Sequence, residues 1–194
     1  MKAIAMIAAW GGRPADYMGR TVCEKPAPMA AIPTTAGTGS EATQFTIITD
    51  TATQVKMLLK GPGLMPDLAV IDPQFTMTAP PGITAATGVD ALTHAIEAYV
   101  SVMASDYTDG LALHAIEMVF TYLEKSYNGD PLAREKMHNA SCIAGMAFTN
   151  AFLGLEPLHG AQTGGRVPHS PSAAPTPSCC RIVIKYNANQ TDQV

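Results

Sequence analysis

A chain of 194 residues is long enough for one ordinary domain with a real core, or for parts of two. With 47% hydrophobic residues, 14% charged residues and a net charge of −4, it reads as globular rather than disordered, and it carries no surplus of positive charge to recruit nucleic acid. No run approaches the roughly 18 consecutive apolar residues that a membrane span needs.

The first segment, "MKAIAMIAAWGGR", has a helical pattern and no small-residue cleavage site, which predicts a cytoplasmic protein. Short β-like runs follow at Met29 to Pro33, Phe45 to Asp50, Val55 to Lys60 and Leu68 to Asp72, each bounded by Gly, Pro, Thr or Asp as strands should be. From Thr84 the period becomes helical, and Val89, Leu92, Ile96 and Val100 fall at spacings that predict a core-facing stripe. A second helix is expected from near Ser105, carrying Leu111, Leu113, Ile116, Val119 and Phe120. A third starts where Asp130 can cap and Pro131 suits the first helical position, and should run to about Leu155. The four cysteines, Cys23, Cys142, Cys179 and Cys180, show no C-x-x-C spacing, so neither a zinc ribbon nor a disulfide framework is expected.

From Glu156 to Cys180 the pattern breaks. The interval is rich in proline, glycine and serine, contains no Ile, Phe or Met, and has neither helical nor alternating periodicity. By itself it reads as a loop, yet structureless loops above about 12–15 residues are uncommon in compact domains. The apolar pattern then returns in "RIVIKYNAN".

Two places could carry chemistry. Asp90 and His94 lie four apart in "GVDALTHAIEAY", so they project from one helix face and could share a divalent cation of the Fe²⁺, Zn²⁺ or Mn²⁺ type. The same spacing also suits an ordinary helix-face ion pair. The loop "PTTAGTGSE", Pro33 to Glu41, follows a strand with small and hydroxylated residues whose backbone can approach a phosphate. It matches neither common nucleotide fingerprint, and a plain turn stays open. Lys56, on the following hairpin, could bring a cation to that loop or be a solvated lysine. His114 and His138 read as surface or satisfied core histidines.

Taken together, "IPTTAGTGSEATQFTIITD", "PDLAVIDP", "TAATGVDALTHAIEAYVS", "SDYTD" and "KMHNASCIAGMAFTNAFLGL" resemble the iron-containing alcohol dehydrogenases. That class includes propanediol oxidoreductases and the alcohol dehydrogenase half of bifunctional aldehyde–alcohol dehydrogenases. The resemblance runs from about Lys2 to Leu155 and again from Arg181 to about Asn189. It implies a dehydroquinate synthase-like architecture, with a dinucleotide-binding α/β domain, a helical domain, and iron in the cleft between them. There the metal polarises an alcohol oxygen for hydride transfer to NAD or NADP. On that basis the fold class is an α/β remnant over residues 1–76 followed by an all-helical domain over 77–194, incomplete and irregular at 156–180. The same resemblance matches Asp90 and His94 to two metal ligands, Fe²⁺ first with Zn²⁺ as the alternative. It matches Thr34, Thr35, Thr38 and Lys56 to the cofactor site, and it implies a small alcohol or aldehyde as substrate, with a homo-oligomer as a further expectation. Related readings are a glycerol dehydrogenase, a dehydroquinate synthase-like enzyme, or a non-catalytic oligomerisation fragment.

The chain departs from the family pattern in length, beginning after the glycine-rich pyrophosphate turn, and at the irregular interval. Members continue after the "FLGL" run with a histidine two residues on, another four later, and an I-P-H-G-like turn bearing the last ligand. Here Pro157, Ala161 and Pro171 stand in those places. A truncated, inactive chain is therefore expected, and the interval itself reads as an out-of-frame translation. One permitted coding of Glu156 to Gly164 is GAG CCA CTC CAT GGC GCA CAA ACT GGG; from its second nucleotide it spells Ser-His-Ser-Met-Ala-His-Lys-Leu. Continuing with GGC AGA GTT CCA CAT TCC CCA T, the same frame spells Gly-Ala-Glu-Phe-His-Ile-Pro-His, with histidines at all three places.

Overall fold

The computed structural model describes residues 1–152 except Gln54, so the expectations for 156–180 and for "RIVIKYNAN" lie outside the described residues. Helix α1, Lys2–Trp10, leads into a region of short strands. Strand β1, Ala30–Ala31, pairs in parallel with β4, Leu68–Ala69. Strands β2, Phe45–Asp50, and β3, Val55–Lys60, form an antiparallel hairpin in the register Phe45↔Lys60 to Asp50↔Val55. Asp50 closes the turn by accepting from Ala52 N and Thr53 Oγ1, each at 2.9 Å, the local side-chain bonding that makes aspartate a turn residue. Alternation puts Met57 and Leu59 on one face, where Leu59 joins Met6, Val22 and Leu64 in a small core. Two of the four expected strands thus appear at their expected bounds, and the outer two shrink to two residues each.

Three helices follow: α2, Pro81–Tyr99, α3, Asp106–Tyr127, and α4, Pro131–Ala151. The start signals act as read. Ser105 forms a capping box with Thr108, and Asp130 Oδ1 accepts from Ala133 N at 2.7 Å ahead of Pro131. Replacing that cap by Asp130→Ala is expected to cost about 1 kcal/mol, measured as a shift in the urea midpoint.

The predicted core stripe on α2 requires correction. Val89, Leu92 and Ile96 are only half-buried, and Val100 is 44% exposed. The buried face is instead Ala91, Ala95 and Ala98, which meet Ala112 and Ala115 of α3 and Ala140, Ala144, Ala147 and Ala151 of α4, all at 0% exposure. Helix α2 thus contributes small side chains to the helical core, while the large buried ones packed with them, Met118, Val119, Met137 and Phe148, come from α3 and α4. Likewise Leu113 and Phe120 of α3 face outward, at 49% and 75% exposed.

Helix α4 stops at Ala151, short of the expected Leu155. Phe152 has φ +61 and is the only non-glycine residue in the left-handed region among those described, a conformation that cannot continue a right-handed helix. Its ring meets Phe45 edge-on at 5.8 Å.

Candidate functional site

The two halves of the described chain meet along the loop Pro33 to Glu41. Gly37 lies against Thr87 of α2, where an added Cβ would sit 2.6 Å from the Thr87 carbonyl oxygen. Gly39, at φ +55, lies against α4; its Cβ would fall 2.7 Å from the Gly145 Cα and 2.8 Å from the Ser141 oxygen. Glycine is required on both sides of this crossing, since backbone meets backbone with no space for a side chain. The loop is thereby pinned to α2 one turn before Asp90 and to α4 one turn before Phe148.

Asp90 and His94 do come together. Asp90 Oδ2 lies 3.9 Å from His94 Nδ1, and the side chains are 15% and 13% exposed. That distance is too long for a hydrogen bond, and Nδ1 is buried without a partner among the described residues. Burial pushes the Asp90 carboxyl above its ordinary range, and the neighbouring imidazole opposes the shift. A desolvated carboxylate beside a ring nitrogen with no described partner offers oxygen and nitrogen donors of the kind that suit a divalent transition metal. Among the described residues no group of three or more metal-ligating side chains occurs, so the pair has no third such side chain beside it.

The sequence reading missed what surrounds the pair. The Phe148 ring packs on the His94 imidazole at 4.7 Å between centroids, and Phe45 stacks on Phe148 at 6.2 Å. This aromatic wall fixes the imidazole plane on its α4 side. Lys2 of α1 was also missed: its ammonium donates to Thr43 O at 2.5 Å, Thr43 Oγ1 at 3.1 Å and Phe45 O at 2.9 Å. These bonds lash α1 to the segment that follows the loop. Nearby Glu41 is buried, and burial pushes its carboxyl up while Lys2 and Cys142 oppose the rise. Burial and the Glu41 charge push the Cys142 thiol up to about 12, which makes it an inert core group. An isolated glycine inside the helical run "IAGMAF" was the one available signal, because such a glycine marks close backbone approach.

The other predicted residues are less closely gathered. Thr34 and Thr38 are exposed on the loop, Thr35 is half-buried beneath it, and Thr38 Oγ1 bonds Ser40 Oγ at 3.3 Å. Lys56 is half-buried on β3 opposite Thr49. Among the described residues no hydrogen bond or ion pair joins Lys56 to the loop, and burial lowers its pKa. His114 is an exposed neighbour of Glu117, Nδ1 to Oε2 3.9 Å.

His138 is fully buried, but neither ring nitrogen has a hydrogen-bond partner among the described residues, so it is a core histidine without being satisfied by them. Burial pushes its pKa down, and the Asp72 charge partly restores it. With the folded value below the unfolded one of about 6.5, the unfolded state binds more protons as pH falls below that value, so acid removes stability. His138→Leu is expected to flatten the decline in urea midpoint below about pH 6.5; an unchanged slope would assign it to other groups.

Comparison with known proteins gives a consistent outcome. The sequence model described as iron-containing alcohol dehydrogenase matches residues 1–73, and that of the C-terminal part of the Fe-containing alcohol dehydrogenase family matches residues 84–193. Aldehyde-alcohol dehydrogenase 2 of Entamoeba histolytica is 50% identical over 166 residues, covering 86% of this chain and 19% of that protein. NADPH-dependent butanol dehydrogenase of Clostridium saccharobutylicum is 50% identical over 159 residues, covering 81% and 40%. The solved structure of sulfoacetaldehyde reductase from Bifidobacterium kashiwanohense, in complex with NAD+, superposes with a TM-score of 0.84 at 35% identity, covering 97% of this chain and 50% of that one. The chain thus spans half or less of the length of these three relatives.

Proposed function

Since the chain belongs to the iron-containing alcohol dehydrogenase family and carries its dehydroquinate synthase-like fold, we propose that it derives from an enzyme moving hydride between a small alcohol or aldehyde and NAD or NADP. In this reading residues 1–76 belong to the nucleotide-binding region and 77–194 to the helical region that holds the metal. The observation that carries it is the buried Asp90–His94 pair, whose Nδ1 has no partner among the described residues, one helical turn after the point at which Gly37 of the loop meets Thr87.

Each group has a task. Asp90 and His94 would hold Fe²⁺, or Zn²⁺ in its place, and such an ion would supply Lewis acidity toward the alcohol oxygen. Phe148 keeps the imidazole oriented and the site dry on that side. Thr34, Thr35 and Thr38 receive the cofactor, with Lys56 as the nearby basic residue. The compartment proposed is the cytoplasm; no helix among the described residues is long and apolar enough to cross a membrane.

As written, the chain has Pro157, Ala161 and Pro171 where the family pattern calls for histidine, so two ligands must suffice. We therefore expect weak metal binding and no measurable alcohol oxidation. Anaerobic calorimetric titration of Fe²⁺ into the wild type and His94→Ala tests the assignment: weak binding by the first and none by the second is expected. Tight and equal binding by both would place the ion elsewhere.

A further inference from the structure

Lys2 carries a buried ammonium, 5% exposed, at the start of α1. An uncharged side chain of that length could fill the same space, and burying a charge costs free energy unless its donors are used. Here all three are spent on one short segment: besides its two contacts with Thr43, Nζ donates to Phe45 O at 2.9 Å. The residue between those two is held from α4. Gln44 N donates to Thr149 Oγ1 and Gln44 Nε2 to Thr149 O, both at 3.1 Å. The second bond answers a standing need, since Thr149 O is among the last four carbonyls of α4 and the helix offers it no partner.

These bonds settle where the Phe45 ring lies. It meets two rings one turn apart at the end of α4, stacked on Phe148 at 6.2 Å with the planes 17° apart and edge-on to Phe152 at 5.8 Å. Phe148 in turn lies on the His94 imidazole, 4.7 Å between centroids and tilted by 32°. Close-packed rings do not shift singly, so a displacement of Phe45 reaches the imidazole through Phe148. Hydrogen bonding does not fix His94 at Nδ1, which has no partner among the described residues and stands 3.9 Å from Asp90. The packed ring therefore sets the imidazole's angle.

We propose that Lys2 and Thr149 are positioning residues for the His94 imidazole, acting through the Phe45–Phe148 stack. They act at second hand: Lys2 grips the Phe45 backbone from α1, and Thr149 grips Gln44 from α4. The consequence for metal affinity rests on the reading of Asp90 and His94 as ligands. Given that reading, an imidazole held at one angle binds an ion more tightly than one free to turn.

Proton–carbon NMR of the metal-free full chain, labelled at histidine, reads the ring angle directly, because the ring current of Phe148 displaces the His94 ring resonances. Phe148→Leu identifies that displacement. Lys2→Met, similar in length but without donors, and Thr149→Val, isosteric but without the hydroxyl, are each expected to move the His94 resonances toward their Phe148→Leu positions. The resonances of His114, exposed on α3, should stay. Thr149→Ser keeps the hydroxyl and should keep the wild-type spectrum. His94 resonances that do not move in folded Thr149→Val overturn the proposal, whatever becomes of Lys2→Met. An equal shift at His114 also overturns it, since that would mean general loosening. Calorimetric titration of Fe²⁺ separates the positioning from the metal reading. Affinity about tenfold lower in Thr149→Val and unchanged in Thr149→Ser is expected. Resonances that move in a chain whose wild type takes up no Fe²⁺ would support the positioning and sink Asp90 and His94 as ligands.

Discussion

Restoring histidine at three places, by Pro157→His, Ala161→His and Pro171→His within the shifted-frame segment, is expected to tighten Fe²⁺ binding by about four orders of magnitude. Structural four-ligand zinc sites gain about 10–16 kcal/mol, or roughly 3 kcal/mol per ligand. The family pattern makes two of the three restored histidines ligands, and two ligands added to Asp90 and His94 are then worth roughly 6 kcal/mol, close to 10⁴ in affinity. Calorimetry of the restored chain checks the number, and His94→Ala in the same background should forfeit about one ligand's share, roughly a hundredfold. Sequencing the coding DNA comes first: a shifted frame without histidines at those three places would make the interval a genuine loop and remove the reason for the variant. Restored histidines with unchanged affinity would count against Asp90 and His94 as the metal's anchor.

The second large effect concerns the crossing of loop and helix. In Gly145→Ala the new Cβ would lie 2.7 Å from the Gly39 oxygen and 3.1 Å from its Cα, inside van der Waals contact with backbone that cannot rotate away. Overpacking of this kind costs about 1–3 kcal/mol, and Gly145→Val should exceed alanine. The loop can relieve the clash only by lifting off α4. Hydrogen exchange at Thr38 to Ala42 should therefore quicken, while amides in the β2–β3 hairpin keep their protection. Faster exchange everywhere would mean general destabilisation and no local displacement. Unchanged exchange at the loop would show that the contact does not hold it.

These outcomes turn on features of unequal visibility in the sequence. Caps and turns are local chemistry, so Ser105, Asp130 and the hairpin ends at Asp50 and Val55 could be read from a few neighbouring letters. Asp90 and His94 were visible because four residues along a helix is a fixed distance. The α2 stripe went wrong because hydrophobicity ranks valine and leucine above alanine, whereas the seam selects for size. Phe148 and Phe45 lie 103 positions apart in the chain (148 − 45), and nothing local announces that one stacks on the other beside His94. Lys2 and Glu41 were hidden for the same reason: a buried charge looks like a surface charge until the fold is known. Helix α4 carried its periodicity past its true end, since a φ of +61 at Phe152 leaves no trace in the pattern of apolar letters.

The alanine seam also sets how the molecule answers to compression. Pressure unfolds proteins by eliminating internal voids, and the volume change scales with the empty space that the folded state contains. Large branched side chains meeting at imperfect angles leave such gaps, but helices whose methyl groups touch along Ala91, Ala95 and Ala98 on one side and Ala140, Ala144 and Ala147 on the other leave little. Squeezed hydrostatically, the seam itself should yield late, and the three-helix body should give way first at the small cavity beside Thr84, Thr87, Ser126 and Met137.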